Sequence, residues 1–283
     1  MRKAVQCRRC VAAPRSMRRH TRRAWSLLFA SALLSLNLFC LCFATLSHAE
    51  WIAVVRDSEK VFSLAIDPAN TQVVYACIWH RGVFKTTNGG ANWKAGNEGL
   101  ATPNVTGLAI DPTNTQILYT GSEDAGVFKT TNGGMSWSAV STGLSNTAIH
   151  AFAIDPANTQ IVYAGASDGV FKTTNGGTSW SAANTDLAGT YITSLTIDPT
   201  NTQTLYTGTR DGMFKSTNGG MSWKPVNVGL TSTHIGSLAI DPTNTQVLYA
   251  GTEDAGVFKT TNGGIGSASE GDDTKGGRGG LEK

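Results

Sequence analysis

One phrase recurs five times along the chain. Ile-Asp-Pro begins at Ile66, Ile110, Ile154, Ile197 and Ile240, at spacings of 44, 44, 43 and 43 residues. A period in the forties restricts the fold to a stack of like units, each burying its apolar face against its neighbours. Helical pairs and propeller blades both occur at that length. Composition separates them. Each unit is rich in Thr, Val, Ile, Tyr and Gly and carries no sustained helical apolar stripe.

The unit from Val105 to Ala148 shows the expected elements. VTGLAI is a short apolar run suited to an inner strand. Asp111 and Pro112 suit a turn, because proline presets φ and aspartate bonds the backbone ahead of it. ILYTG is a second strand, SEDA a loop and GVFKTT a third strand. Asn132 and Gly133 accept the positive φ that a tight hairpin needs. SWSAV is a fourth strand. Four short antiparallel strands per unit make the blade of an all-β fold, a β-propeller.

The best-preserved part of each unit is this third-to-fourth-strand hairpin. Thr130, Asn132, Gly134 and Trp137 keep a fixed spacing, repeated with Asn88 and Trp93, Asn175 and Trp180, and Asn218 and Trp223. Asn262 begins a fifth copy without its tryptophan. A side chain required in every unit is expected to hold that unit together, and truncating such a buried tryptophan costs about 3–5 kcal/mol. The competing reading is an aromatic ladder that stacks on sugars.

The spacing resembles the Asp-box, or bacterial neuraminidase repeat, with asparagine in place of the family's aspartate. Together with IDP and LYTG it looks most like the propellers of xyloglucanase-type glycosidases, and it is similar to sortilin-type and photosystem II assembly-factor propellers. The resemblance covers about Trp51 to Gly264. It implies the propeller fold and leaves function open, since such repeats sit on enzymes and non-enzymes alike.

The fifth unit, Ile235 to Gly264, lacks its fourth strand. WIAVV at Trp51–Val55 reads as a fourth strand without a blade. The expectation is that it pairs with the last blade and closes a ring of five, removing exposed sheet edges. The rival is a truncated gene whose absent blades would have made six to eight.

Residues 1–49 read as a secretion signal, residues 50–264 as the propeller and residues 265–283 as a disordered tail. Nine of the 23 Lys and Arg residues precede residue 24. An uncharged, mostly apolar stretch from Ala24 to Ser47 follows, then the small-x-small site Ser47-His48-Ala49. Met17 is an alternative start. The expected location is secreted or periplasmic, with membrane contact only through an uncleaved leader. From Glu50 onward the net charge is −6, which argues against a nucleic-acid face. Cys77, the single cysteine after the leader, reads as a buried small hydrophobe. No metal-ligand spacing and no cofactor motif appears, so neither a metal nor a cofactor is expected.

Function is expected where the copies differ. The DPxNTQ and NGG turns fall on one face of the propeller and the variable loops on the other, and binding concentrates in such loops on a rigid scaffold. The candidates are Trp79, His80, Arg81, Glu98, His150, Asp168, Tyr191, Arg210, Asp211 and His234, and none is assigned a catalytic role. Glycoside hydrolysis needs two carboxylates across one bond. The Asp-Pro residues Asp67, Asp111, Asp155, Asp198 and Asp241 are too regular for that and read as turn residues. Glu98, Asp168 and Asp211 are unique, but no pattern pairs them. The expectation is an exported, monomeric, non-catalytic scaffold that binds a protein or glycan. The alternative is a partial or degenerate glycosidase of the xyloglucanase or sialidase-like kind.

Overall fold

The computed structural model describes residues 60–265. The leader, Trp51–Val55 with the closing role expected of it, and the tail beyond Ile265 lie outside the described residues. Blade 1 contains β1 (Val61–Ile66), β2 (Val74–Ile78), β3 (Gly82–Thr86) and β4 (Lys94–Ala95). Blade 2 contains β5 (Val105–Ile110), β6 (Leu118–Ser122), β7 (Val127–Thr130) and β8 (Ser138–Ala139). Blade 3 contains β9 (Ile149–Ile154), β10 (Val162–Ala166), β11 (Gly169–Thr173) and β12 (Ser181–Ala182). Blade 4 contains β13 (Ile192–Ile197), β14 (Leu205–Thr209), β15 (Gly212–Ser216) and β16 (Lys224–Pro225). Blade 5 contains β17 (Ile235–Ile240), β18 (Leu248–Thr252) and β19 (Val257–Thr260). Each sheet is antiparallel in simple sequence order, and the fold is a five-blade β-propeller with no helix among the described residues.

The first strands of successive blades touch one another, β1 to β5, β5 to β9, β9 to β13 and β13 to β17, so they line the axis. The fourth strand is only two residues long, against the five expected of SWSAV. Its ladder stops because the backbone leaves the sheet: Val140 N–H still reaches Val127 O at 2.8 Å, and the chain then crosses to the next blade.

The repeated hairpin is a closed set of hydrogen bonds. Thr130 Oγ1 donates to Asn132 Oδ1 at 2.8 Å and accepts from the Gly134 N–H at 3.1 Å. Asn132 Oδ1 also accepts from the Ser136 N–H at 3.0 Å. Gly133 and Gly134, at φ +66° and +80°, hold the left-handed backbone that makes the turn. Asparagine adds what aspartate could not, a donor: Nδ2 of Asn132, Asn175 and Asn218 reaches Ser136, Ser179 and Ser222 Oγ at 2.8, 3.0 and 2.9 Å.

The tryptophan that follows belongs to the boundary between blades. Trp137, Trp180 and Trp223 donate Nε1–H to the carbonyls of Gly96, Val140 and Ala183 of the preceding blade at 2.8, 2.7 and 2.8 Å. A second lock points the other way. Tyr75, Tyr119, Tyr163 and Tyr206 donate to the carbonyls of Gly133, Gly176, Gly219 and Gly263 in the following blade at 3.1–3.2 Å. The cross-strand neighbours Lys85, Lys129, Lys172 and Lys215 donate to the same four oxygens at 2.8–3.1 Å. The ammonium lies 5.1–5.2 Å from the tyrosine ring centre each time. Burial, with the Asp111 charge behind it, pushes the Tyr119 phenol up to about 12, and burial with Asp155 does the same at Tyr163.

The apolar core accordingly sits between blades. At the first boundary Tyr75, Cys77 and Val83 of blade 1 pack on Val105, Leu118, Phe128 and Trp137 of blade 2. Cys77 stands where the other blades have glycine. A Cβ at Gly165 or Gly208 would meet Cγ2 of Ile192 or Ile235 at 2.4–2.5 Å, whereas blade 2 has Gly107 where blades 3, 4 and 5 carry Ala151, Ser194 and Ser237, and Cys77 Sγ lies 3.7 Å from the Gly107 carbonyl. Burial pushes the Cys77 thiol up to about 12 despite a hydrogen bond with Thr120.

Candidate functional site

The inner strands begin, and the second strands end, at one edge of the propeller, as the pairings Ile149 with Ala166 and Ile192 with Thr209 show. Residues one position from those ends therefore crowd together near the axis on the variable face. His150 is the second residue of β9, Ser167 follows β10, Tyr191 precedes β13 and Arg210 follows β14.

These four side chains meet. The His150 and Tyr191 rings stack with centroids 4.5 Å apart and an interplanar angle of 23°. His150 Nε2 lies 2.9 Å from Ser167 Oγ, and Nδ1 lies 3.4 Å from Tyr191 Oη. The Arg210 guanidinium sits 4.1 Å from the Tyr191 ring centre. Burial, and then the Arg210 charge, pushes the His150 pKa down to about 4, so the imidazole is neutral at neutral pH and one ring nitrogen accepts while the other donates. Burial and the Glu123 carboxylate raise the Tyr191 pKa, against the opposing pull of Arg210. Arg210 itself is exposed, so a cation on an aromatic platform faces solvent.

A second group lies on blades 1 and 2. His80 adopts φ +61°, a left-handed conformation uncommon for a non-glycine residue. Its Nδ1 bonds Asn104 Oδ1 at 2.8 Å, and Asn104 Nδ2 reaches Asp124 Oδ2 at 3.2 Å. The Trp79 ring lies 4.5 Å from His80 and 5.1 Å from Phe62. Arg81 lies over Phe84 at 5.0 Å.

The remaining candidates stand apart from these groups. Asp168 accepts from Ser145 Oγ at 3.4 Å through Oδ2, while its Oδ1 is buried without a hydrogen-bond partner. Asp211 occupies the β14–β15 turn, where its N–H bonds Thr209 Oγ1 at 3.0 Å. His234 is exposed ahead of β17, its carbonyl accepting from the Glu253 N–H at 3.1 Å. Glu98 lies beside Ser136 of the next blade's hairpin, where its carbonyl accepts from the Trp137 N–H at 2.8 Å. Each Asp-Pro carboxylate is taken up by its own turn. Asp111 Oδ1 accepts from the Thr113 N–H and hydroxyl at 2.8 Å and from the Asn114 N–H at 3.1 Å. Burial alone would raise its pKa, but these bonds outweigh it and hold the group below the usual carboxylate range.

Ser167, Glu123, Asn104 and Asp124 join these groups without having been singled out in the sequence. Their only mark there is a place beside the end of an inner or second strand.

No protein-family model matches the chain, and no curated protein sequence matches it. Solved structures do. An ancestral GH74 enzyme aligns at 29% identity with a TM-score of 0.56, covering 68% of this chain and 27% of its own. The GH74 enzyme of Niastella koreensis aligns at 25% identity with a TM-score of 0.61, covering 72% and 37%. YCF48 bound to D1 peptide aligns at 14% identity with a TM-score of 0.56, covering 74% and 68%, a likeness of fold alone. The class is thus a β-propeller. The chain spans about a quarter to two-fifths of the length of the two GH74 enzymes.

Proposed function

We propose that the chain is an exported, non-catalytic β-propeller that holds a protein or glycan ligand on its variable face. The observation that carries this reading is the His150–Tyr191–Arg210 cluster. Its His150 ring is hydrogen-bonded to Ser167, its members lie at or beside the ends of inner and second strands, and it presents an aromatic platform with an exposed guanidinium. Tyrosine and arginine dominate binding energy at recognition surfaces, and a ring with polar edges also suits a sugar. Export rests on the basic and apolar leader with its small-residue site. The closed hydrogen-bond set of the repeated hairpin supports the Asp-box resemblance, which assigns that hairpin to holding the blade rather than to ligand.

The second reading, a partial glycosidase, is favoured by the 29% and 25% identity to GH74 enzymes. Against it, the five regular aspartates are committed to turns, and Glu98 lies away from the axial cluster. The test is to incubate the purified full chain with xyloglucan and with sialosides. The scaffold reading predicts no release of sugar, and any binding is lost in Tyr191→Ala and Arg210→Ala. Sugar release abolished by Asp168→Asn, Asp211→Asn or Glu98→Gln establishes the glycosidase instead.

A further inference from the structure

Among the described residues the interface between blades occurs four times, and each half of it occurs once more without its complement. On blade 5, Val257 is the counterpart of the buried Val83, Val127, Val170 and Met213, yet it is 73% exposed. Tyr249, counterpart of four fully buried tyrosines, is 41% exposed. Lys259 sits 5.4 Å from the Tyr249 ring, so the donor pair is already assembled, but no glycine carbonyl receives it among the described residues. On blade 1 the inner-strand part of the opposite half is exposed. Val61, Leu64 and Ile66 are 42%, 63% and 57% exposed, although the counterparts of Val61 are fully buried. Trp93 Nε1 is buried without a partner, where its three counterparts donate across a boundary. The carbonyl of Gly89, matching Gly133 and its equivalents, has neither a tyrosine nor a lysine on it among the described residues.

The two faces are complementary because they are the two halves of a contact the chain already makes. They are exposed in the same molecule, so they do not cover one another within it. We propose that a second copy of this chain supplies the missing half, blade 5 of one molecule docking on blade 1 of the next, head to tail. Tyr249 Oη and Lys259 Nζ then donate to the Gly89 carbonyl of the second copy. Val257 packs against Val61, Val74 and Phe84 of that copy, as Val83 packs against Val105, Leu118 and Phe128 within the chain. A contact of two unlike faces is heterologous, so it forms a closed ring of copies or an open chain of them. The sequence points to a monomer; the bare ends are the ground for proposing association instead.

Sedimentation of the purified full chain from sub-micromolar to high-micromolar concentration tests this. Wild type should grow in mass with concentration. Leu64→Glu places a charge in the blade 1 half, and Val257→Asp does the same in the blade 5 half. Each should weaken association at least about a hundredfold, because a charge buried without a partner is strongly disfavoured. Both sites are exposed, so circular dichroism should show an unchanged fold. The Tyr249→Phe, Lys259→Ala double variant removes only the donors and should weaken association with the apolar contact intact. The deciding step is mixing. Leu64→Glu keeps a sound blade 5 and Val257→Asp a sound blade 1, so an equimolar mixture should give a dimer that neither forms alone. A wild type that stays monomeric over the whole range overturns the proposal, as it would if another segment of the same chain covered the ends. A mixture that stays monomeric overturns it too.

Discussion

Replacing one tryptophan by phenylalanine should have unequal consequences in two copies of the same motif. Trp223 is fully buried, and its Nε1–H reaches Ala183 O at 2.8 Å. Trp223→Phe removes that hydrogen bond, worth about 1 kcal/mol, and leaves the carbonyl unpaired. The smaller ring also opens a void, for about 1–2 kcal/mol more. The expected loss is about 2–3 kcal/mol. Trp93 holds the same place in blade 1, but it is half-buried and its Nε1 lacks a partner. Trp93→Phe removes an unsatisfied buried donor, which offsets most of the lost packing, so the net change should stay within about 1 kcal/mol. At about 2–4 °C per kcal/mol for a domain of this size, Trp223→Phe should lower Tm by roughly 4–12 °C and Trp93→Phe by a few degrees at most. Thermal unfolding followed by circular dichroism on dilute protein reads both. Equal losses at the two sites would refute the argument that these tryptophans act across blade boundaries.

Other outcomes follow from the same geometry. The His150 ring, followed by NMR, should titrate near 4, against 6.5 for a free imidazole; a midpoint near the free value would mean that the ring is not buried beside Arg210. The sign for stability is set by the native state's reluctance to charge: the contribution of His150 is present above pH 6.5 and is lost as pH falls through that value to about 4. His150→Phe should flatten stability over that window, read by urea unfolding at several pH values. Asn132→Ala breaks three hydrogen bonds of the hairpin and should cost about 1–3 kcal/mol, whereas Asn132→Asp, which keeps the acceptor and takes a hydrogen bond from the Ser136 hydroxyl where the amide gave one, should cost about 1 kcal/mol or less. Cys77, fully buried with its thiol pushed up to about 12, should react with a thiol reagent only on unfolding; prompt labelling of native protein would contradict its placement between blades 1 and 2.

The blade was legible in the sequence because a strand's polar and apolar order and a turn's glycines are local properties. VTGLAI became β5 residue for residue. The fourth strand is shorter than its composition implies, since SWSAV has strand composition but the chain leaves the sheet after two residues. The tryptophan was legible as a plate, and its attachment was not. Trp137 and Gly96 are 41 residues apart, and periodicity says that units are alike without saying which atoms of one touch the next. The Tyr–Lys lock was hidden for the same reason. At the site, His150, Tyr191 and Arg210 stood out singly as departures from the repeat. Their convergence depends on each lying one place from a strand end at a shared edge, which is a matter of register. Glu98 was grouped with them by loop position, yet the chain after β4 carries it to the neighbouring hairpin.

Sugar release from xyloglucan by the purified full chain is the measurement that tests the central claim most directly. A scaffold that binds through the His150–Tyr191–Arg210 face predicts none above background. Release that disappears in Asp168→Asn or Asp211→Asn and survives Tyr191→Ala would contradict it.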